Sequence, residues 1–188
     1  MSLFEFVSVI IAVVLALCAG QLLLGVSALV KARLRVTAFL PHSIWIGLLF
    51  LLVLQHWWAQ WDFRGVDWTY PTFLYVVLGP TLLFLAASLL IPETSGEAPI
   101  DLRLHFMGVR RLFMLVILAF VLVTWFDGPL IQGQTAFGRI GLLHFGWVGV
   151  ALVGFSSDNS RVNLLAALVG VALLLFATTI RFFPGALG

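Results

Sequence analysis

Long apolar runs constrain this chain more than any other feature of its sequence. The first run extends from about Phe4 to Val30 and stops at the basic stretch 31–35. A helix needs about 20 mostly apolar residues to cross the hydrocarbon core of a bilayer. By this criterion the predicted spans cover residues of about 4–30, 41–61, 71–91, 112–128, 140–155 and 164–183.

The amino-acid composition agrees with a protein whose solvent is lipid. Hydrophobic residues make up 62% of the chain and charged residues 10%, against about 45–50% and about 25% in soluble domains. A soluble fold of this composition would expose large apolar surfaces to water. The sequence therefore predicts an all-α, polytopic membrane protein, with residues 1–188 forming a single six-helix transmembrane domain and the lipid bilayer as its main partner.

The distribution of basic residues predicts the orientation of the bundle, because cytoplasmic loops are enriched in Lys and Arg. Loops 31–40, 92–111 and 156–163 hold seven of the ten basic residues. We therefore expect these loops in the cytoplasm and both termini outside. The compactness of the chain and the absence of targeting or glycosylation elaboration favour a bacterial inner membrane as its location. The net charge of +2 is small and the basic residues are dispersed, which does not indicate nucleic-acid binding.

Residues 99–111 form an amphipathic segment on the predicted cytoplasmic side. Pro99 and Asp101 suit the start of a helix. Apolar residues then recur at helical spacing at Leu102, Phe106, Val109 and Phe113. The segment is predicted to be either an extension of the fourth helix, which we favour, or a short helix on the membrane surface. Its basic residues would meet anionic headgroups.

Small residues are expected to mark helix packing faces, because helices in lipid associate through close contact at such residues. They recur at Ala12, Ala16 and Gly20 in the first span, at Gly141, Gly146, Gly149 and Gly154 in the fifth, and at Ala166 and Gly170 in the sixth. The alternative is a pore or a cofactor approached by backbone.

A glycine–proline pair, Gly79 and Pro80, lies at the middle of the third span. Proline removes one backbone hydrogen bond of a helix, so a kink is predicted here. The kink is either a packing device or a hinge beside a substrate cavity.

Polar residues at the outer helix ends form a candidate ligand site, which we call the polar crown. Ionisable groups within a membrane are costly and therefore suggest function. The predicted members are Glu5, Gln55, His56, Asp127, Arg139, His144 and Arg181. The crown would hold an anionic or zwitterionic ligand or conduct protons; the alternative is a set of interfacial ion pairs.

Tryptophans mark the outer end of the second helix and the turn that follows it. Four of the seven tryptophans of the chain are Trp57, Trp58, Trp61 and Trp68. Tryptophan favours the level of the lipid headgroups, so these residues are predicted to anchor the helix end against lipid or a partner.

Motifs for catalysis are absent from the sequence. There is no HExxH zinc motif, GxSxG elbow or phosphate-binding glycine loop, so no catalytic residue and no metal site is assigned. His42, at the inner end of the second span, is expected to lie within reach of headgroups and water. His42 and His56 are 14 residues apart, a spacing that resembles the paired axial ligands of di-haem b-type cytochromes. A partner helix with two matching histidines is missing, which leaves a single haem between His56 and His144 as a minor alternative.

Three functional classes remain. The favoured one is a non-catalytic subunit or scaffold of a larger membrane assembly, with homo-oligomeric or hetero-oligomeric partners. The first alternative is a small oligomeric transporter or channel with an outward-facing polar site. That alternative predicts a continuous polar path across the level of Gly79 and Pro80, and a solid apolar core there would argue against it. The second alternative is a haem-binding or enzymatic membrane protein that uses His56 and His144.

Overall fold

A computed structural model of the chain describes residues 2–133, 135 and 137–182, apart from the side chains of residues 139, 140, 181 and 182. Its helices are α1 (Leu3–Lys31), α2 (Leu40–Ala59), α3 (Tyr70–Leu90), α4 (Leu102–Ile131), α5 (Arg139–Ser156) and α6 (Ser160–Phe182). Short 3-10 turns cover Arg33–Arg35 and Gln60–Phe63. Five of the helices are long and apolar enough to cross a membrane, and α5 is a shorter apolar helix. The predicted all-α, membrane-type bundle is confirmed.

Successive helices run in alternating directions, which gives the bundle two distinct ends. At the tryptophan end, defined by Trp57, Trp58 and Trp61, the ring of Phe4 at the start of α1 lies 6.4 Å from the ring of Trp61. At the same end, Trp125 of α4 stacks on His144 of α5 with ring centroids 5.7 Å apart. The opposite end, which we call the basic end, carries the loops rich in Lys and Arg.

Helix α2 lies at the centre of the arrangement and contacts α1, α3, α4 and α6. The middle of the bundle is filled by side chains that are almost completely buried, namely Trp45, Leu48, Leu49, Phe113, Met114 and Ile117. The rings of Trp45 and Phe113 meet edge to face at 5.1 Å, a favourable geometry for aromatic pairs. This layer is a close-packed core.

The amphipathic segment continues into α4 without a break, as the extension alternative predicts. The Asp101 carboxylate caps the helix start by accepting from the backbone N–H groups of Arg103 and Leu104, at 2.8 and 3.0 Å. Phe106 and Arg110 are buried inside the bundle. The expectation that every basic residue here meets lipid headgroups is therefore wrong for Arg110.

The two long loops at the basic end are joined by a contact that the sequence analysis did not predict. Strand β1 (Val36–Thr37) pairs in parallel with strand β2 (Ile100–Asp101). The Arg35 guanidinium donates to the backbone oxygens of Thr94 and Ala98, at 2.8 and 2.9 Å. These bonds fix the loop before α2 against the loop before α4.

The predicted small-residue packing faces are confirmed in part. Close approach is confirmed at Gly146, Gly154 and Gly170, where an added Cβ would lie 2.6–3.0 Å from Leu173, Met114 and Leu48 respectively. In α1 the prediction is wrong, because Ala16 is exposed and a Cβ on Gly20 would meet nothing within 4 Å. The face that α1 buries consists of Val7, Ile11, Leu15, Cys18, Leu22 and Gly25.

Candidate functional site

A cavity of about 440 Å³ opens inside the tryptophan end of the bundle, between α2, α4, α5 and α6. Four residues of the predicted polar crown line it, namely Gln55, His56, Asp127 and His144. Glu5 is elsewhere, because its carboxylate accepts from the Ser2 backbone N–H in a capping box at the start of α1. The side chains of Arg139 and Arg181 lie outside the described part of the structure.

The cavity is closed toward the basic end by the core layer. Leu52 and Ile117 line its deepest part. One helical turn deeper, Leu48 and Phe113 are fully buried. Within the described residues the cavity therefore ends at an apolar floor, and the continuous polar path that the transporter alternative predicts is not seen.

His56 of α2 packs against Gly79 of α3. A Cβ added to Gly79 would stand 2.9 Å from Cε1 and 3.1 Å from Nε2 of the imidazole. On its other side, the ring centroid is 5.7 Å from that of Phe120. The absence of a side chain at position 79 thus makes room for the His56 ring at the cavity wall.

The predicted hinge at Gly79 and Pro80 is part of one continuous helix, α3. The hydroxyl of Thr81 donates to the backbone oxygen of Val77 at 2.9 Å, one residue beyond the position where proline interrupts the hydrogen-bond ladder. Movement at this position stays a prediction.

Gln55 connects α2 to α6 at the rim of the cavity. Its Nε2 donates to Oγ1 of Thr178 at 3.2 Å, and that hydroxyl donates in turn to the Leu174 backbone oxygen at 2.8 Å. Interhelical bonds of this kind join helices in lipid, so Gln55 both lines the cavity and joins two of its walls.

Gln60 is a cavity residue that the sequence analysis missed. It is 6% exposed and lines the cavity. Its Nε2 donates to the His56 backbone oxygen at 3.4 Å, whereas its Oε1 is buried and has no hydrogen-bond partner among the described residues. Its position four residues after His56, which is itself four after Leu52, would have placed it on the same helix face.

His144 and Trp125 form the opposite wall. Their rings are nearly parallel, with an angle of 13° between planes. Trp125 is held in turn by an edge-to-face contact with Phe145, at 4.5 Å between centroids. This aromatic packing presents the His144 imidazole beside the cavity rather than in lipid.

The four predicted anchor tryptophans divide into two groups. Trp57, Trp58 and Trp61 are 54%, 62% and 63% exposed, which suits side chains that face lipid headgroups. Trp68 is half-buried, and its ring lies 6.5 Å from that of Phe4 and 6.4 Å from that of Phe63. Trp68 therefore packs the turn against α1 instead of facing outward.

A polar groove, which we call the vestibule, adjoins the cavity at the tryptophan end. Its volume is about 710 Å³, and it is lined by Asp62, Arg64, Gly65, Val66, Asp67, Thr72, Leu130, Ile131 and Gln132. Asp62 and Gln132 line both spaces. The two residues therefore mark the place where the vestibule meets the cavity.

His42 does not share a site with His56. It is fully buried at the basic end, where its Nε2 donates to the Leu90 backbone oxygen at 2.7 Å, so the expectation that it meets headgroups and water is wrong. His105 lies beside it, with Nε2 3.1 Å from the Leu89 oxygen and ring centroids 5.9 Å apart. His42 therefore is not a haem ligand paired with His56. Together with His105 it caps the last backbone carbonyls of α3.

In the described part of the chain, no three His, Cys, Asp or Glu residues lie together in a way that could hold a metal ion. Comparison with known proteins adds no assignment, since no protein-family model, curated protein or solved structure matches the chain.

Proposed function

We propose that the chain is a non-catalytic membrane subunit that binds a small molecule in the cavity at its tryptophan end. The observation that supports this is the convergence of Gln55, His56, Asp127 and His144 on one cavity. Small-molecule sites typically occupy about 300–1,000 Å³ and combine apolar or aromatic walls with a few polar groups. The cavity has that size and that mixture.

A transporter is the second candidate, favoured by the contact between His56 and Gly79 beside Pro80. A helix that bends at proline would move the cavity wall. Against it stands the solid layer around Trp45, Leu49 and Phe113, which would have to separate during each cycle. The described arrangement therefore favours binding of a ligand over its transport across the membrane.

Native mass spectrometry after gentle extraction tests the binding proposal. Wild-type protein is expected to carry a small molecule, and His56→Ala should lower its occupancy roughly tenfold, the effect of about 1.4 kcal/mol of lost interaction. Trp61→Phe, which changes an exposed ring outside the cavity, is the matched control and should retain the ligand. Equal, negligible effects of both variants would leave the stretch 55–70 with an anchoring role only.

The subunit part of the proposal is tested separately, by cross-linking and gentle extraction from native membranes. Stable partner chains are expected to co-purify, whereas a lone, homogeneous particle would argue against a subunit. The absorption spectrum of the same preparation tests the haem alternative. A Soret band that is lost in both His56→Ala and His144→Ala would replace this proposal with a haem protein.

A further inference from the structure

We propose that the cavity is filled from water through the vestibule, and that its ligand is a small, water-soluble molecule with an N–H or O–H donor. This inference rests on the proposed binding function and adds a route and a chemical class to it.

The route follows from residues that belong to both spaces. Asp62 lies in the 3-10 turn Gln60–Phe63 that continues α2, and Gln132 directly follows α4. Both line the cavity and the vestibule. The neck between the two spaces therefore lies between the ends of α2 and α4, at the level where the chain leaves the membrane.

The chemistry of the vestibule favours water over lipid as the source of the ligand. Its lining includes the charged side chains of Asp62, Arg64 and Asp67 and the hydroxyl of Thr72. The Arg64 guanidinium lies 5.2 Å from the centre of the Trp61 ring, against the exposed tryptophans. An acyl chain entering here would desolvate polar groups without replacing their hydrogen bonds, whereas a polar solute would not.

Gln60 indicates the chemical class of the ligand. The bond from its Nε2 to the His56 backbone oxygen identifies the other amide atom as the oxygen, because a carbonyl cannot donate. The Gln60 side chain lines the cavity, and its Oε1 is buried and has no protein partner within the described residues. A buried acceptor without a donor is unfavourable, so a ligand with an N–H or O–H group would complete the site.

Cysteine labelling in lipid nanodiscs tests the route. In a Cys18→Ala background, Thr124→Cys places a thiol at the cavity wall, where a charged, membrane-impermeant methanethiosulfonate should reach it. Gly65→Trp, which projects from the vestibule lining into open space, should slow labelling roughly tenfold, equivalent to about 1.4 kcal/mol of added barrier.

Gly108→Trp is the matched control, because a Cβ at that position in α4 also meets nothing within 4 Å but lies near the basic end. It should leave the labelling rate unchanged. Labelling that is insensitive to Gly65→Trp, or that occurs only with a lipid-soluble maleimide, would overturn the vestibule route in favour of entry from the membrane.

Protection of the same thiol tests the donor requirement. Benzamide, which has N–H donors, should slow labelling of Thr124→Cys more than N,N-dimethylbenzamide, which has none. Gln60→Met, which removes the acceptor at similar size, should abolish that difference. Equal protection by the two amides, or protection by neither, would overturn the assigned ligand class.

The outcomes separate this inference from the proposed function. A thiol that is reached through the vestibule in a protein that carries no small molecule by mass spectrometry would uphold the route and refute the binding function. A bound molecule in a protein whose thiol is labelled independently of Gly65→Trp would do the reverse.

Discussion

At the scale of single residues, Arg110 shows how position on a helix face overrides residue type. It lies four residues after Phe106 and three before Phe113, and both of these rings are buried. Arg110 therefore faces inward at 1% exposure. Its guanidinium pairs with Asp158 at 2.6 Å and donates to the backbone oxygen of Ser157, so it holds the turn between α5 and α6 against α4.

Asp158→Asn is expected to lower the free energy of unfolding by about 1–3 kcal/mol, because a buried guanidinium loses its countercharge. The effect is moderated because Asp158 itself is 80% exposed and the Ser157 carbonyl still accepts. The measurement is unfolding by sodium dodecyl sulfate in mixed micelles. Glu97→Gln, at an exposed loop carboxylate of the same end, is the control and should have little effect.

The double variant Arg110→Met with Asp158→Asn should recover part of the lost stability, because no unpaired charge then remains in the interior. If Asp158→Asn unfolds at the same detergent fraction as wild type, the ion pair does not stabilise the fold and the turn is held by the backbone carbonyls alone.

At the scale of secondary-structure elements, the contact between α2 and α3 gives Gly79 a role that the sequence did not reveal. The pair Gly79 and Pro80 suggested a kink. In the fold, Gly79 is where α3 accepts the His56 ring. Glycine at this position is thus explained by the space that the neighbouring helix needs rather than by backbone conformation.

Gly79→Ala is expected to destabilise the bundle by about 1–3 kcal/mol, the usual cost of overpacking, and to displace the His56 ring. Gly47→Ala is the matched control, since a Cβ on that helical glycine meets nothing within 4 Å, and it should be neutral or stabilise by up to about 1 kcal/mol. Detergent-induced unfolding measures both. The double variant Gly79→Ala with His56→Ala should regain stability; equal destabilisation with and without the imidazole would refute a clash between positions 79 and 56.

At the scale of the whole molecule, the ends of α2, α4 and α6 and the start of α5 meet at the tryptophan end, and the cavity lies between them. The predicted orientation, with the basic end in the cytoplasm, is a separate question that depends on the membrane. It is decided by charge bias in the loops and not by packing between helices.

Single-cysteine variants in the Cys18→Ala background test this orientation. Gly65→Cys lies in the vestibule and Ser95→Cys in the exposed loop after α3. In intact bacterial cells, an impermeant maleimide should label Gly65→Cys and spare Ser95→Cys until the membrane is permeabilised. The opposite pattern would invert the bundle, and labelling of both before permeabilisation would contradict the single span, α3, that separates the two positions.

Helix direction and depth could be predicted from the sequence, because they are properties of a single segment. Contacts that depend on how two segments pack against each other could not. Counting residues along apolar runs predicted Gln55, His56, Asp127 and His144 at one end of the bundle, and all four line one cavity. Gln60 was missed because it lies between Trp58 and Trp61, in the stretch that was interpreted as an anchor of the helix end. His42 was misplaced because its partner, the Leu90 carbonyl, lies on another helix.

The sequence by itself determined the helices, their alternation and the tryptophan end, because the free energy of burying apolar residues in lipid depends on each segment alone. Only the tertiary structure decided which side of each helix faces inward. In α1 apolar residues surround the whole helix, so hydrophobicity does not distinguish the buried Ile11 and Leu22 from the exposed Leu17 and Leu24. That choice is made by the shapes of side chains on neighbouring helices, since lipid and protein interior are equally apolar.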